Sequence, residues 1–262
     1  MKTIAFINQK GGAGKTTTAL NVGASLQRKG FSVLLIDLDA QGNLTTATGC
    51  DPNEIASGVT IYEVLKDDAN VNDAIRATAN GCDIIPTDIR QSDADVVLSG
   101  VAGRDVLLKF AIKEIQKQYD FVLLDCPPSL SIITIMALTA CDDVVIPIQA
   151  QYFALNGCAQ LINTINKIKK RLNPKLNVCG VVVTMYDGRQ NLDKSVLESV
   201  EKAFPEKVFA TKIRNNVSLA EAPACGCDVF TYKPECAGAT DYDALTDEII
   251  FRTKGEKKNG KQ

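Results

Sequence analysis

The apolar run Thr3–Asn8 passes without interruption into Gln9-Lys10-Gly11-Gly12-Ala13-Gly14-Lys15-Thr16-Thr17, where a helical pattern begins. Few folds accept a strand, a glycine turn and a helix start in that order; the natural home is a βαβ crossover. Further runs rich in Val, Ile and Leu lie at Ser32–Asp37, Asp83–Pro86, Phe121–Asp125, Asp143–Ile148, Val178–Thr184 and Val208–Ile213. Most are continuous rather than alternating, which marks strands covered on both faces. Helical patterns at Thr17–Lys29, Val106–Lys117, Ala154–Arg171, Leu192–Phe204 and Ala239–Phe251 separate them. The expected class is therefore α/β, a doubly wound, mostly parallel sheet flanked by helices. Residues 1–252 read as one domain, and the lysine-rich stretch 253–262 as a flexible basic tail.

The glycine loop has a specific chemistry. Glycines let the main chain approach an anion without Cβ clashes, loop amides turn inward as donors, and the helix N-terminus adds partial positive charge. Gly11, Gly12, Ala13, Gly14, Lys15, Thr16 and Thr17 are thus expected to cradle the phosphates of ATP, with Lys15 reaching the β- and γ-phosphates and the Thr16 hydroxyl meeting Mg²⁺. The usual P-loop glycine five positions before Gly14 is Gln9 here, so the loop is a variant, KGGxGKTT, of the P-loop NTPase pattern. Lys10 adds a second cation beside the glycines. One ammonium would suffice within a chain, so Lys10 is free to point to solvent or to reach across an interface toward a nucleotide held by another copy.

Composition removes alternatives. The 262 residues contain no histidine, which excludes Ser-His-Asp triads, Cys-His nucleophile pairs and histidine-ligated metals. Nine cysteines without a repeated spacing, in a chain lacking an export signal, point to reduced thiols. Cys225, Cys227 and Cys236 fit structural zinc spacing poorly. No apolar run approaches the ~20 residues a membrane span needs, so the expected location is cytoplasmic.

Carboxylates close the strands. Asp37 and Asp39 end the second run two residues apart, and Asp125 ends another after four apolar residues. In a parallel sheet all three fall at the carboxyl edge, where α/β folds bind ligands. Three carboxylates converging beside a triphosphate require a compensating cation such as Mg²⁺.

Beyond the loop, the segments LLIDLDAQGNLT (Leu34–Thr45), YDFVLLDCPPSL (Tyr119–Leu130), VVIPIQAQYFALNG (Val144–Gly157), VVTMYDGRQNL (Val182–Leu192) and LAEAPACG (Leu219–Gly226) make nearly the whole chain resemble the deviant Walker A ATPases, and within them the ParA/Soj partition proteins. The resemblance implies an ATP-driven sandwich homodimer in which Lys10 contacts the partner's nucleotide. It implies that Asp125 is the Walker B carboxylate holding Mg²⁺ through water, that Asp39 positions the attacking water, and that Asp37 supports the metal shell. Met185 and Pro223 would flank adenine. It also implies nonspecific DNA binding through basic residues, a nucleoid location, and release by a ParB-like activator that stimulates hydrolysis.

Charge is distributed accordingly. Residues 165–214 carry eleven Lys or Arg against five acids, although the chain's formal net charge is −2. A basic face touching phosphates alone gives salt-sensitive, sequence-independent binding. Arg189 in TMYDGRQNL matches a DNA-contacting position of the family. Relatives read PRNVRLSEAP where this chain has RNNVSLAEAP, so Ser218 replaces an arginine and Asn215 another basic residue; Arg214 is the expected compensation. The run begins almost at once with its first strand, and no operator-binding domain is expected ahead of it. Two other classes are considered. A MinD-like membrane ATPase needs an amphipathic C-terminal helix, and an iron–sulfur reductase resembling the nitrogenase iron protein would use Cys126 and Cys141.

Overall fold

The computed structural model describes residues 1–151 and 158–254, apart from the side chains of Pro52 and Asn53. Seven strands form one sheet: β1 (Lys2–Phe6), β2 (Val33–Asp37), β3 (Arg76–Ala77), β4 (Asp83–Ile85), β5 (Phe121–Asp125), β6 (Asp143–Gln149) and β7 (Asn177–Thr184), in the order β3-β4-β2-β5-β1-β6-β7. All neighbouring pairs are parallel except β3 with β4. The α/β class and the mostly parallel sheet are as expected.

The helices are α1 (Lys15–Arg28), α2 (Asn43–Ala47), α3 (Pro52–Ser57), α4 (Ile61–Leu65), α5 (Ala94–Val97), α6 (Leu107–Glu114), α7 (Ile132–Ala140), α8 (Cys158–Arg171), α9 (Asn191–Ala203), α10 (Ser218–Ala224), α11 (Val229–Tyr232) and α12 (Ala237–Lys254). They cover both faces of the sheet and divide the core in two. One half packs α4 to α9 against Leu34, Leu124 and Val181; the other packs α1, α11 and α12 against Leu35, Leu123 and Val182. Adjacent residues of one strand feed opposite halves, which is why every position of β2 and β5 is buried and the runs do not alternate.

Two expectations change. Val208–Ile213 is not a strand: an isolated bridge from Val208 to Val181, and the Phe209 and Ile213 amides donating to the Val181 and Val183 carbonyls at 2.9 Å each, tie it to β7 without a continuous ladder. The amides of Ala210 and Thr211 donate instead to the Glu248 carboxylate, at 2.8 and 2.7 Å, and this draws the segment out of the ladder. The tail boundary also moves, because α12 continues through Thr253 and Lys254. Arg252 donates to the carbonyls of Cys179, Lys207 and Val208, and Lys254 lies over the rings of Phe31 and Phe121. Residues 255–262 lie outside the described region, as do 152–157 with the start of the helix expected at Ala154. Ile132–Ala140, outside the helical patterns given above, is a further helix.

Gly180 shows how closely Arg252 packs. A Cβ there would stand 2.5 Å from Phe209 Cε2 and 2.7 Å from Arg252 Nη1. Gly180→Ala is expected to destabilise the nucleotide-free chain by about 1–3 kcal/mol, the usual overpacking cost. Urea unfolding checks this; an unchanged midpoint would show that the Arg252 stack yields freely.

Candidate functional site: a phosphate-binding cleft

The chain leaves β1 at the point where the strand order reverses, with β5 on one side and β6 on the other. Ligands of open α/β sheets bind there, beyond the carboxyl ends. The loop that follows is tied down from three directions. Asn8 donates through Nδ2 to the Pro147 carbonyl at 2.6 Å and accepts the Lys10 amide at 3.0 Å. The Thr184 hydroxyl at the end of β7 donates to the Ala13 carbonyl at 2.9 Å. Gly14 sits at φ 85°, a left-handed conformation costly to any residue with a Cβ, and its carbonyl accepts both the amide and hydroxyl of Thr18. Helix α1 thus starts at Lys15, with its free amides facing the loop.

A cavity of about 580 Å³ opens above this helix start, lined by Gly11, Gly12, Gly14, Lys15, Thr16 and Thr17 on one side. Asp39 and the first turn of α2 form another wall, and Met185, Leu219 and Pro223 a third. A smaller cavity of about 150 Å³ adjoins it, with Gly14, Thr17, Met185, Leu219 and Ala220 common to both. Met185 adopts φ 54° and receives a contact from Gln149 Nε2 at 3.1 Å on its sulfur. Helix α10 brings Leu219 and Ala220 to the cleft; of this helix, sequence reasoning placed Pro223 at the nucleotide and neither of these two.

The carboxylates fall into place by register. Asp37 and Asp125 are paired across β2 and β5. Both are completely buried. Asp125 accepts the Thr16 hydroxyl at 2.6 Å through Oδ2, while its buried Oδ1 has no partner. Burial first, then the negative charges of Asp37 and Asp39, hold Asp125 well above the ordinary carboxylate range, against the opposing effects of Thr16 and Lys15. Asp37 is pushed up to about 6, by burial first and by Asp39 to a lesser degree. Its oxygens accept the Thr45 amide and hydroxyl, each at 2.8 Å, and the Asp39 amide at 3.2 Å. It therefore braces the loop that carries Asp39 and α2. Asp39 itself is half-buried and accepts the Gln41 amide through Oδ1 at 3.1 Å.

The four residues expected around the metal are thus not equivalent. Thr16 and Asp125 meet, with an orphaned carboxylate oxygen beside them, and that fits Mg²⁺, which takes one or two protein ligands and completes its shell with phosphates and water. Asp37 has both oxygens engaged by its own loop. Among the described residues no group of three His, Cys, Asp or Glu forms a cage.

Lys15 is buried with its base, whereas Lys10 is not among the residues lining its own cavity. The Lys10 ammonium donates to Gln151 Oε1 at 2.6 Å in an exposed contact. Farther away, Arg189 is 91% exposed and makes a two-pronged contact with Asp187, whose carboxyl is held below its usual range by that guanidinium. Lys167, Lys169, Lys170, Arg171 and Lys175 are exposed along and just after α8. Arg214 is different: its guanidinium forks onto Asp241 at 2.7–3.1 Å and it lines the smaller cavity. Ser218 is buried. Cys126 and Cys141 are core residues whose thiols burial pushes up, which removes the cluster-bearing cysteines of the reductase reading from any shared surface. No helix among the described residues is long and apolar enough to cross a membrane.

A glycine loop between β1 and α1, closed by a carboxylate on the adjacent strand, is the hallmark of P-loop nucleotide-binding proteins. A family model described as an AAA domain matches residues 1–178. The sporulation initiation inhibitor protein Soj of Bacillus subtilis (strain 168) is 45% identical over 249 residues, covering 95% of this chain and 98% of that protein. The chromosome-partitioning ATPase Soj of Treponema pallidum (strain Nichols) is 42% identical over 252 residues, 96% of this chain and 98% of that one. Among solved structures, cobyrinic acid a,c-diamide synthase from Mycobacterium smegmatis with bound ATP analog and magnesium superposes with TM-score 0.86 at 33% identity, over 98% of both chains. The chain belongs to the ParA/Soj family of partition ATPases.

Proposed function

We propose that this chain is an ATP-driven partition switch: with ATP and Mg²⁺ it forms a sandwich homodimer that binds DNA nonspecifically on the nucleoid, and hydrolysis stimulated by a ParB-like partner releases it. The observation that carries this reading is the division of labour between two lysines. Lys15 lies buried at the helix start within its own cavity, whereas Lys10 is not among the residues lining that cavity and its ammonium meets, among the described residues, an exposed amide. A cation so placed is available to the triphosphate of a second copy.

Within one copy, Lys15 and the loop amides would hold the β- and γ-phosphates, and Thr16 and Asp125 would hold Mg²⁺. When bound, the magnesium ion supplies neutralisation of charge on the transferring phosphoryl oxygens. Asp39 would orient the attacking water, its loop braced by Asp37. Met185 and Pro223 would flank the base across the adjoining cavities. The exposed lysines of α8 and Arg189 would meet DNA phosphates, which can displace the surface carboxylate of Asp187 from its guanidinium. Arg214, already committed to Asp241, is assigned to the wall of the nucleotide cleft rather than to DNA.

Sedimentation velocity tests the reading. With Mg²⁺ and a nonhydrolysable ATP analogue the wild-type chain is expected to dimerise and to shift random-sequence DNA, an effect lost as salt rises. Lys10→Ala is expected to bind the analogue with little change yet remain monomeric. A wild-type chain that stays monomeric under saturation overturns the switch.

A further inference from the structure

Gln91 lies in the turn after β4, on the far side of Asp39 from the phosphate loop. It is 4% exposed, and neither Nε2 nor Oε1 has a hydrogen-bond partner. Among the described residues it is the single side chain with two separate polar atoms that are both buried and unpaired. Each orphaned group costs roughly 1–3 kcal/mol. Packing alone gives no reason for an amide here, because Ala94, whose amide donates to the Gln91 carbonyl, belongs to the apolar core and a methionine or leucine would fill the space without that penalty.

The surroundings supply a reason. Gln91 and Asp39 line a common cavity of about 140 Å³, together with Asp95, Pro127, Ser129 and Ser131. Asp39 also lines the phosphate-loop cavity, so it forms the partition between the two spaces. Of the neighbouring acids, Asp95 accepts the Ile132 amide at the start of α7, and Asp37 is engaged by Thr45. Asp39 has one oxygen on Gln41, and no contact to its Oδ2 is present among the described residues. Gln91, with its unpaired amide, and Asp39, with its under-used carboxylate, line one small space.

We propose that Gln91 is a positioning residue for Asp39: once the phosphate-loop cavity holds the triphosphate, the Gln91 amide donates to the Asp39 carboxylate and orients it toward the attacking water. The unpaired amide of the empty protein is then a contact held in reserve, satisfied only when the Asp39 loop closes. This rests on the ATPase reading above and adds a residue to that site.

Gln91→Met keeps length and volume but removes both polar atoms. It is expected to lower kcat on the order of 10-fold to 100-fold, as small misplacements of a reacting group do, while leaving KM and the affinity for a nonhydrolysable analogue within about threefold. Thermal stability of the empty protein should hold or rise, since two orphaned groups disappear. Gln91→Glu, which keeps an acceptor but places a charge against Asp39, should lose turnover as well; Gln91→Asn should recover part of it. Unchanged kcat in Gln91→Met overturns the positioning role, and so does a loss of turnover that tracks a loss of thermal stability. A wild-type chain that binds nucleotide but never hydrolyses it overturns the underlying ATPase reading instead, and is told apart because it fails before any variant is made.

Discussion

Lys15→Ala is expected to weaken ATP binding by on the order of 100-fold or more. Its ammonium stands at the first residue of α1, 6% exposed, where loop amides and helix dipole converge. Truncating one partner of a buried, hydrogen-bonded charge pair costs about 2–5 kcal/mol. Little of that loss should show in the empty protein, because Asp125 is protonated more readily once the lysine's opposing charge is gone. The signature is therefore a thermal shift with nucleotide that vanishes while the melting temperature without nucleotide stays put. Titration with a fluorescent ATP analogue measures the affinity directly, and a variant within threefold of wild type would remove Lys15 from the phosphate site.

Asp39→Ala should separate binding from chemistry. The side chain is half-buried on the rim of the cavity and contributes nothing to the loop that cradles the phosphates. Nucleotide affinity is expected to hold within a few-fold, or to improve as a negative charge leaves the vicinity of the triphosphate. Turnover should fall at least about 100-fold, the scale for losing one preorganised group that acts in the transition state. The variant should accumulate as a nucleotide-bound dimer on DNA that a partner protein cannot release. Steady-state phosphate release and sedimentation on the same sample check both halves; wild-type turnover would return the role of Asp39 to some other residue.

Much of this was legible in the residues, for identifiable reasons. Strands buried on both faces announce themselves as unbroken apolar runs, and β2, β5 and β6 are found within a residue of their expected bounds. The glycine loop was equally plain, since phosphate recognition by main-chain amides restricts which side chains can be present. Other features depend on partners far away in the chain. Nothing in Val208–Ile213 shows that Glu248, some 38 residues on, takes its amides. Arg214 reads as an unpaired cation, and nothing near it shows that Asp241, 27 residues on, takes its guanidinium. Ile132–Ala140 is apolar nearly all round, so no periodicity separates helix from strand. Gln91 reads as one more polar residue in the turn IRQSD, and only burial reveals it as unusual.

The contact between Tyr242 and Thr18 carries a consequence for biogenesis. The phenol of α12 lies 3.2 Å from the Thr18 hydroxyl that also bonds the Gly14 carbonyl, and the two residues are 224 positions apart. Ser25 and Lys29 extend the same seam through Asp243 and Asp247. The glycine loop and the strut behind it are thus joined only after 224 intervening positions of chain have been made. A chain not yet extended to α12 lacks these contacts, so the start of α1 is expected to reach its full rigidity only once α12 has packed against it.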